Sequence, residues 1–315
     1  MLARGPIRAI ATIEVTMLAA RIDTLTSALS HKRQLRQLRQ SQADGYHLVE
    51  LDSCFIRYRE AGRGPKTLVL AVDPPITLEC YDQLLALLAP DYHVYVFELP
   101  GFGYSMVKSD FQFHFEATIE TLQELLRHWN AGPYTLAFPC ASAFFSIALA
   151  NQYPELVSHL AMIQSPNWQQ EQAWKHRLDP HRVLNRAVVG QLFMKLKKRH
   201  VAEQWVKFVS NTPDFTRDSL PLIDRQLKHG GCYCLASAMQ YGLPEKSPTL
   251  LEVTQPARLI YGEQDRSHKA TNFETIRDYG HQISLHPIHQ AGHFPELEAP
   301  DIFKSFIDEL HQSNC

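Results

Sequence analysis

Apolar residues along this chain gather into short unbroken runs. "KTLVLAV" (66–72), "HVYVFEL" (93–99), "YTLAF" (134–138), "HLAMI" (159–163), "ARLIYG" (257–262) and "ISLHPI" (283–288) each predict a buried strand. Ahead of them, "HLVELDSCFIRYREAG" alternates β-branched and polar residues and predicts two short strands ending at Gly62. Between these runs, 78–88, 115–129 and 142–152 carry a helical pattern. Strands alternating with helices imply an α/β fold, a mainly parallel sheet flanked by helices on both faces.

Two stretches depart from that alternation. Residues 167–245 hold Trp168, Trp174 and Trp205, three of the four tryptophans, in amphipathic helical segments punctuated by Pro180, Pro213, Pro221 and Pro244. A helical insertion of this kind predicts a cap over the strand ends. The first 42 residues carry Arg4, Arg8, Arg21, Lys32, Arg33, Arg36 and Arg39 against Glu14 and Asp23, with Met17, Leu18, Ile22, Leu25, Leu29, Leu35 and Leu38 near helical spacing. This predicts a basic amphipathic helix that packs on its own domain, with contact to a membrane surface or a partner as its other use. Arg8 and Glu14 interrupt the apolar stretch and disfavour a secretory signal. The expected organisation is an N-terminal extension (1–42), a first core part (43–166), a helical cap (167–245) and a second core part (246–315).

Composition narrows the class of protein. The 315 residues are 45% hydrophobic and 20% charged, which is ordinary for a globular chain. Lysine plus arginine number 31 against 33 acids, a net charge of −2, so nothing points to nucleic acid. No apolar run approaches the roughly 18 residues that a transmembrane helix needs. Six scattered cysteines (Cys54, Cys80, Cys140, Cys232, Cys234, Cys315) fit reduced thiols in a cytoplasmic protein. Cys232 and Cys234 lack a second ligand pair and read as unpaired thiols in a helical region. His286, His289 and His293 cluster without metal-site spacing. Neither a metal nor a cofactor is expected.

The chemistry enters with "YTLAFPCASAFFSIALANQYPELVSHLAMI" (134–163). This strand–turn–helix resembles the nucleophile elbow of the α/β-hydrolase superfamily, Gly-x-Ser-x-Gly, and puts the nucleophile at Cys140. "FELPGFGYS" (97–105) is similar to the superfamily's post-strand "DLPGFGxS" loop. "LIYGEQD" (259–265) resembles the strand ending "GxxD", and "HQAGHFPELEAP" (289–300) resembles the late "GAGHFPxxExP" loop. The resemblance implies Asp265 as the acid, with Glu263 as a nearby competitor, and His293 as the base, in this fold's usual order. His268 is expected at the surface or facing the cap. An elbow projects its side chain above the sheet, and a helix N-terminus and an imidazole both favour thiolate, so Cys140 is expected to be reactive.

Three departures limit what the resemblance implies. Serine is replaced by cysteine, an accepted triad variant. The two flanking glycines are Phe138 and Ser142, and Phe138 is bulky for a strained turn. The oxyanion loop "HG-x-P" falls on Val72-Asp73-Pro74-Pro75, with Tyr81 matching the aromatic that follows. Pro74 has no N–H to offer an oxyanion, which leaves the amide of Ala141, and an ionised Asp73 would repel the developing charge. Asp73, Pro74, Phe138 and Ala141 are therefore the expected oxyanion and substrate-binding residues.

The expected function is hydrolase-type acyl chemistry on an ester, thioester or related carbonyl, with a small-molecule or carrier-bound acyl substrate. The alternative is an altered oxyanion hole serving an acyltransferase, cyclase, lyase or non-catalytic binding protein. Superfamily members acting on haloalkanes and epoxides use an aspartate nucleophile, which disfavours those activities here. Lys195, Lys197, Lys198 and Arg199 form either a solvated helix face or a site for an anionic carrier group such as phosphopantetheine or coenzyme A. Trp168, Trp174, Phe193 and Trp205 either line a pocket or pack the cap onto the core.

Overall fold

The structure is a computed structural model that describes residues 19–25 and 45–312. Its strands are β1 (Tyr46–Glu50), β2 (Phe55–Ala61), β3 (Lys66–Val72), β4 (Tyr92–Glu98), β5 (Phe102–Gly103), β6 (Tyr134–Pro139), β7 (Val157–Ile163), β8 (Cys232–Tyr233), β9 (Ala257–Gly262) and β10 (Ser284–Ile288). Eight of them form one sheet in the order β1-β2-β4-β3-β6-β7-β9-β10. β2 runs antiparallel to β1 and β4, and every other neighbour pair is parallel. The alternating "HLVELDSCFIRYREAG" is thus the antiparallel edge, and five of the apolar runs are the interior strands; the sixth, 283–288, is instead the opposite edge strand β10, half-buried over most of its length because it has a neighbour on one side.

Parallel neighbours require crossovers, and the helical patterns supply them. Helix Phe115–Trp129 buries Phe115, Ile119, Leu122, Leu125 and Leu126, a stripe at helical spacing, and stops at Asn130 in the left-handed region. Helix Ala143–Gln152 is buried along nearly its whole length, because it runs directly behind the sheet. Phe138 belongs to this packing. It is 1% exposed, meets Phe97 edge-on at 5.6 Å between centroids, and does not border the cavity described below. Its expected place among the substrate-binding residues is therefore corrected: the bulk that looked awkward at the turn faces the core. Phe138→Ala is expected to cost about 3–5 kcal/mol of stability by opening a void, read by urea titration, while leaving substrate KM unchanged.

Between β7 and β9 the chain forms helices Trp168–Leu178, Val189–Val209 and Pro213–Lys228. The insertion is not purely helical, since β8 pairs antiparallel with β5. Cys232 lies in that strand, and the Cys234 amide donates to the Gly101 carbonyl at 3.0 Å, so the Cys-x-Cys is not in a helix. This small ribbon ties the insertion to the loop after β4. A second tie runs through buried Glu98, which accepts from Gln226 at 2.6 Å and from the Tyr104 amide at 2.7 Å. At Gly103 a Cβ would collide with the Glu98 carboxylate, which is why this loop carries glycine there.

Of the N-terminal extension, residues 19–25 are helical, and Asp23 accepts from the Ser237 hydroxyl at 2.7 Å. The remainder of the predicted amphipathic helix lies outside the described residues, as does Cys315. No helix among the described residues is long and apolar enough to cross a membrane.

Candidate active site

Four parallel strands and the loops that leave them bring residues to one edge of the sheet, where open α/β folds place ligands. Asp73 follows β3, Cys140 follows β6, Asp265 follows β9 and His293 follows β10.

Cys140 holds φ at 51°, a left-handed conformation that a non-glycine residue adopts at a cost of about 1–3 kcal/mol. It opens a tight turn, Cys140–Ser142, that runs straight into helix Ala143–Gln152. The turn lifts the thiol above the sheet and points the helix N-terminus toward it.

The structure brings Asp265 and His293 together. His293 Nδ1 lies 2.5 Å from Asp265 Oδ2. Asp265 also accepts from the Ser267 amide and hydroxyl, both at 2.8 Å, and from Gln164 Nε2 at 3.0 Å. Burial would raise its pKa, but the imidazole and these donors outweigh that and hold it at about 2. Close backbone approach fixes the pair: a Cβ at Gly262 would collide with the Gly292 carbonyl, one residue before the histidine. Glu263, the nearby competitor, pairs instead with His289 at 2.7 Å near the surface. His286 lies apart, 2.9 Å from the Ser284 hydroxyl.

The inserted helices enclose the imidazole. Trp174 lies parallel to His293 at 6.2 Å and Trp205 meets it edge-on at 5.4 Å. His268 is buried and stacks on Trp174 at 5.0 Å, so it faces the insertion rather than solvent. Burial lowers its pKa to about 3 and keeps it neutral.

Two features change the electrostatics. Asp73 Oδ2 lies 3.1 Å from His293 Nε2, the nitrogen that would serve a nucleophile. Flanked by two carboxylates, His293 titrates well above its ordinary range despite complete burial. Glu171 is the second feature. It is fully buried, its carboxyl is pushed up to about 8 by burial, and its Oε1 lies 3.8 Å from Cys140 Sγ. Burial, then Glu171 and Asp73, push the Cys140 thiol upward, and the opposing pull of His293 does not compensate. The expectation of a thiolate is therefore corrected: burial and the two carboxyls hold Cys140 as a thiol, beside an imidazole whose proton is held more tightly than usual.

Glu171 has no counterpart in the sequence motifs. Its one trace is an acid in the first turn of a helix whose neighbours Trp168, Gln172 and Lys175 are also buried. Glu296 is another buried carboxyl. It accepts from the Tyr81 hydroxyl at 3.1 Å and is pushed by burial to about 8. The folded protein therefore keeps a proton there that the unfolded chain releases above its ordinary 4.5. Stability should fall as pH rises from 4.5 to 8. Glu296→Gln should remove a loss on the order of a few kcal/mol from that window, measured as denaturation midpoints at several pH values.

Asp73, Pro74, Cys140, Ala141 and His293 border one cavity of about 250 Å³. Its walls are largely apolar, including Leu99, Phe113, Trp174, Val201, Trp205 and Met239. Trp174 and Trp205 thus line the pocket, whereas Trp168 packs on Phe115 and Phe144 and Phe193 faces outward. The basic cluster does not reach the cavity. Lys198 donates to the Gly231 carbonyl at 2.7 Å and Arg199 pairs with Asp224, while Lys195 and Lys197 are exposed.

Residues 76–300 match the family of the alpha/beta hydrolase fold. The chain belongs to that family. It is 31% identical over 83 residues to the uncharacterized hydrolase YNR064C of Saccharomyces cerevisiae, a match spanning 26% of this chain and 29% of that protein. Among solved structures, ALR0039 of Nostoc sp PCC 7120 superposes with a TM-score of 0.71 at 15% identity, covering 83% of this chain and 96% of that one. A thermophilic esterase of Thermogutta terrifontis gives 0.65 at 18% identity, covering 85% and 98%. The epoxide hydrolase of Bacillus megaterium gives 0.62 at 17% identity, covering 84% and 100%. At these identities the likeness is one of fold.

Proposed function

We propose that this protein is a hydrolase of a small, uncharged, largely apolar acyl substrate, an ester or a thioester. Cys140 is the nucleophile, His293 the base and Asp265 the residue that fixes the imidazole tautomer. One observation carries the reading: Cys140, held at φ 51°, shares an apolar cavity with a histidine whose other nitrogen is bonded to a buried aspartate. In the reaction, Nε2 of the neutral imidazole takes the thiol proton as sulfur adds to the carbonyl carbon. The leaving group departs with that proton, and water then cleaves the acyl-cysteine. The Ala141 amide follows the nucleophile and is the backbone donor for the oxyanion. Membership of the family supports a hydrolase, and the apolar walls support a small acyl group over a charged one. Lys198 and Arg199, being tied down, do not favour a carrier-bound substrate. Cys54, Cys80, Cys140 and Cys234 are in no disulfide among the described residues, which supports a cytoplasmic, reducing location.

A second reading, acid–base or lyase chemistry without an acyl-enzyme, is favoured by Asp73 at Nε2 and by the missing N–H of Pro74. Acid-quenched turnover of a p-nitrophenyl ester and of a short acyl thioester separates the two. Mass spectrometry should find an acyl adduct on the Cys140 peptide at a level that follows substrate turnover. Turnover with no adduct at that peptide would remove the nucleophile reading in favour of the second.

A further inference from the structure

We infer that Asp73, Cys140 and His293 form a binding site for a soft divalent cation of the zinc class. Their ligand atoms, one oxygen, one sulfur and one nitrogen, lie within 4.8 Å of one another, and all three residues are buried. Sulfur, imidazole nitrogen and carboxylate oxygen are the donor set that zinc prefers, and three protein ligands with one open position make an accessible site. Here the open position faces the cavity.

The spacing fits a shared ion. Two ligands each about 2.0–2.1 Å from a tetrahedral metal lie about 3.3 Å apart. His293 Nε2 and Asp73 Oδ2 are 3.1 Å apart. That ion pair with the imidazole is the contact of buried Asp73 Oδ2, and no further hydrogen-bond donor among the described residues reaches it. A carboxylate in a buried place gains from every partner it can find, and a cation between the two atoms would take the place of the imidazole proton. Glu171 Oε2, on the carboxyl whose Oε1 lies 3.8 Å from the thiol, is buried without a hydrogen-bond partner.

The surroundings also match. A metal-bound histidine usually donates its second N–H to a carboxylate that is itself held by hydrogen bonds. His293 Nδ1 faces Asp265, which Ser267 and Gln164 hold. The cluster of Asp265, His268 and His293 is a poorer site, because those same donors occupy Asp265. Sequence adds an independent argument. Cysteine in place of the elbow serine and Asp73 in place of the oxyanion-loop glycine are departures from the family pattern, and each supplies a ligand.

Binding releases the Cys140 thiol proton and the His293 Nε2 proton to solvent. The thiolate, the neutral imidazole and the carboxylate then bind one dication, and their two negative charges cancel its charge. The thiolate so engaged is no longer free to attack an acyl group. The cation and the acyl substrate therefore compete for Cys140.

The test uses the full chain, treated with a chelator and then titrated with Co²⁺ or Zn²⁺ alone. We expect one equivalent of Co²⁺ to bind with a thiolate-to-cobalt charge-transfer band that Zn²⁺ abolishes. Cys140→Ala should lose the band, Asp73→Asn should weaken binding at least about tenfold, and Asp265→Asn should weaken it by about 10–100-fold through the second N–H. Cys232→Ser should bind as wild type. The site is refuted by a folded wild-type protein, checked by circular dichroism, that shows no band, or by a band that persists in Cys140→Ala. Acyl trapping on chelator-treated protein reads the nucleophile without the metal, so the two ideas fail separately.

Discussion

Cys140→Ala is expected to lower hydrolysis of a short acyl thioester by about 10⁴-fold, with KM little changed. Removing the nucleophile of a triad leaves only the catalysis that positioning and hydrogen bonding provide, and losses of this order follow in comparable enzymes. The cavity walls that bind the acyl chain come from other residues, chiefly Trp174, Val201, Trp205 and Met239. The change should therefore appear in kcat. Alanine also relieves nothing in the backbone, since φ at this position is 51° with or without the thiol. Steady-state kinetics on the purified variant decides the matter. Activity within tenfold of wild type would transfer the chemistry to His293 and Asp73 and support the second reading.

Asp73→Asn is expected to raise the same activity by about 10²-fold. In the wild type Asp73 Oδ2 stands 3.1 Å from His293 Nε2 and helps hold the imidazole protonated. It also pushes the Cys140 thiol upward by charge repulsion, after burial and Glu171. The amide keeps the shape and removes the charge. It further brings an N–H donor to the loop where Pro74 has none, and one oxyanion donor is worth about 10²–10³ in rate. The pH profile gives the sign. A histidine titrating above its ordinary range offers its lone pair only as pH rises through the raised value. The wild-type profile should therefore rise on the alkaline side, and the variant's midpoint should move toward lower pH. A variant slower than wild type, or one with an unmoved profile, would mean that Asp73 assists the reaction.

Much of this was legible in the chain itself. The unbroken apolar runs at 66–72 and 257–262 coincide with β3 and β9, because a strand covered on both faces has no polar positions to alternate. Cys140, Asp265 and His293 were found through motifs whose residues are local: a turn, a strand end, a loop. Each motif has to shape its own few residues wherever the rest of the chain goes. Phe138 was misplaced because sequence marks its position beside the nucleophile but not which face of β6 it occupies. Glu171 leaves no motif in the sequence because it meets Cys140 from 31 residues further along the chain, on a helix of its own.

Periodicity and turn chemistry are short-range properties, so the α/β architecture, the order of strands and helices and the three residues of the candidate triad can be read along the chain. What those residues can do depends on contacts between distant segments, which only the tertiary structure decided. The tertiary structure set Asp73 against Nε2, brought Glu171 to the thiol, and closed Trp174 and Trp205 around the imidazole. Charge state depends on burial and on neighbours a few ångströms away, and these contacts join residues far apart in the chain. For that reason a thiolate expected from the motif is a protonated thiol in the folded protein, held beside a carboxylate that no motif contains.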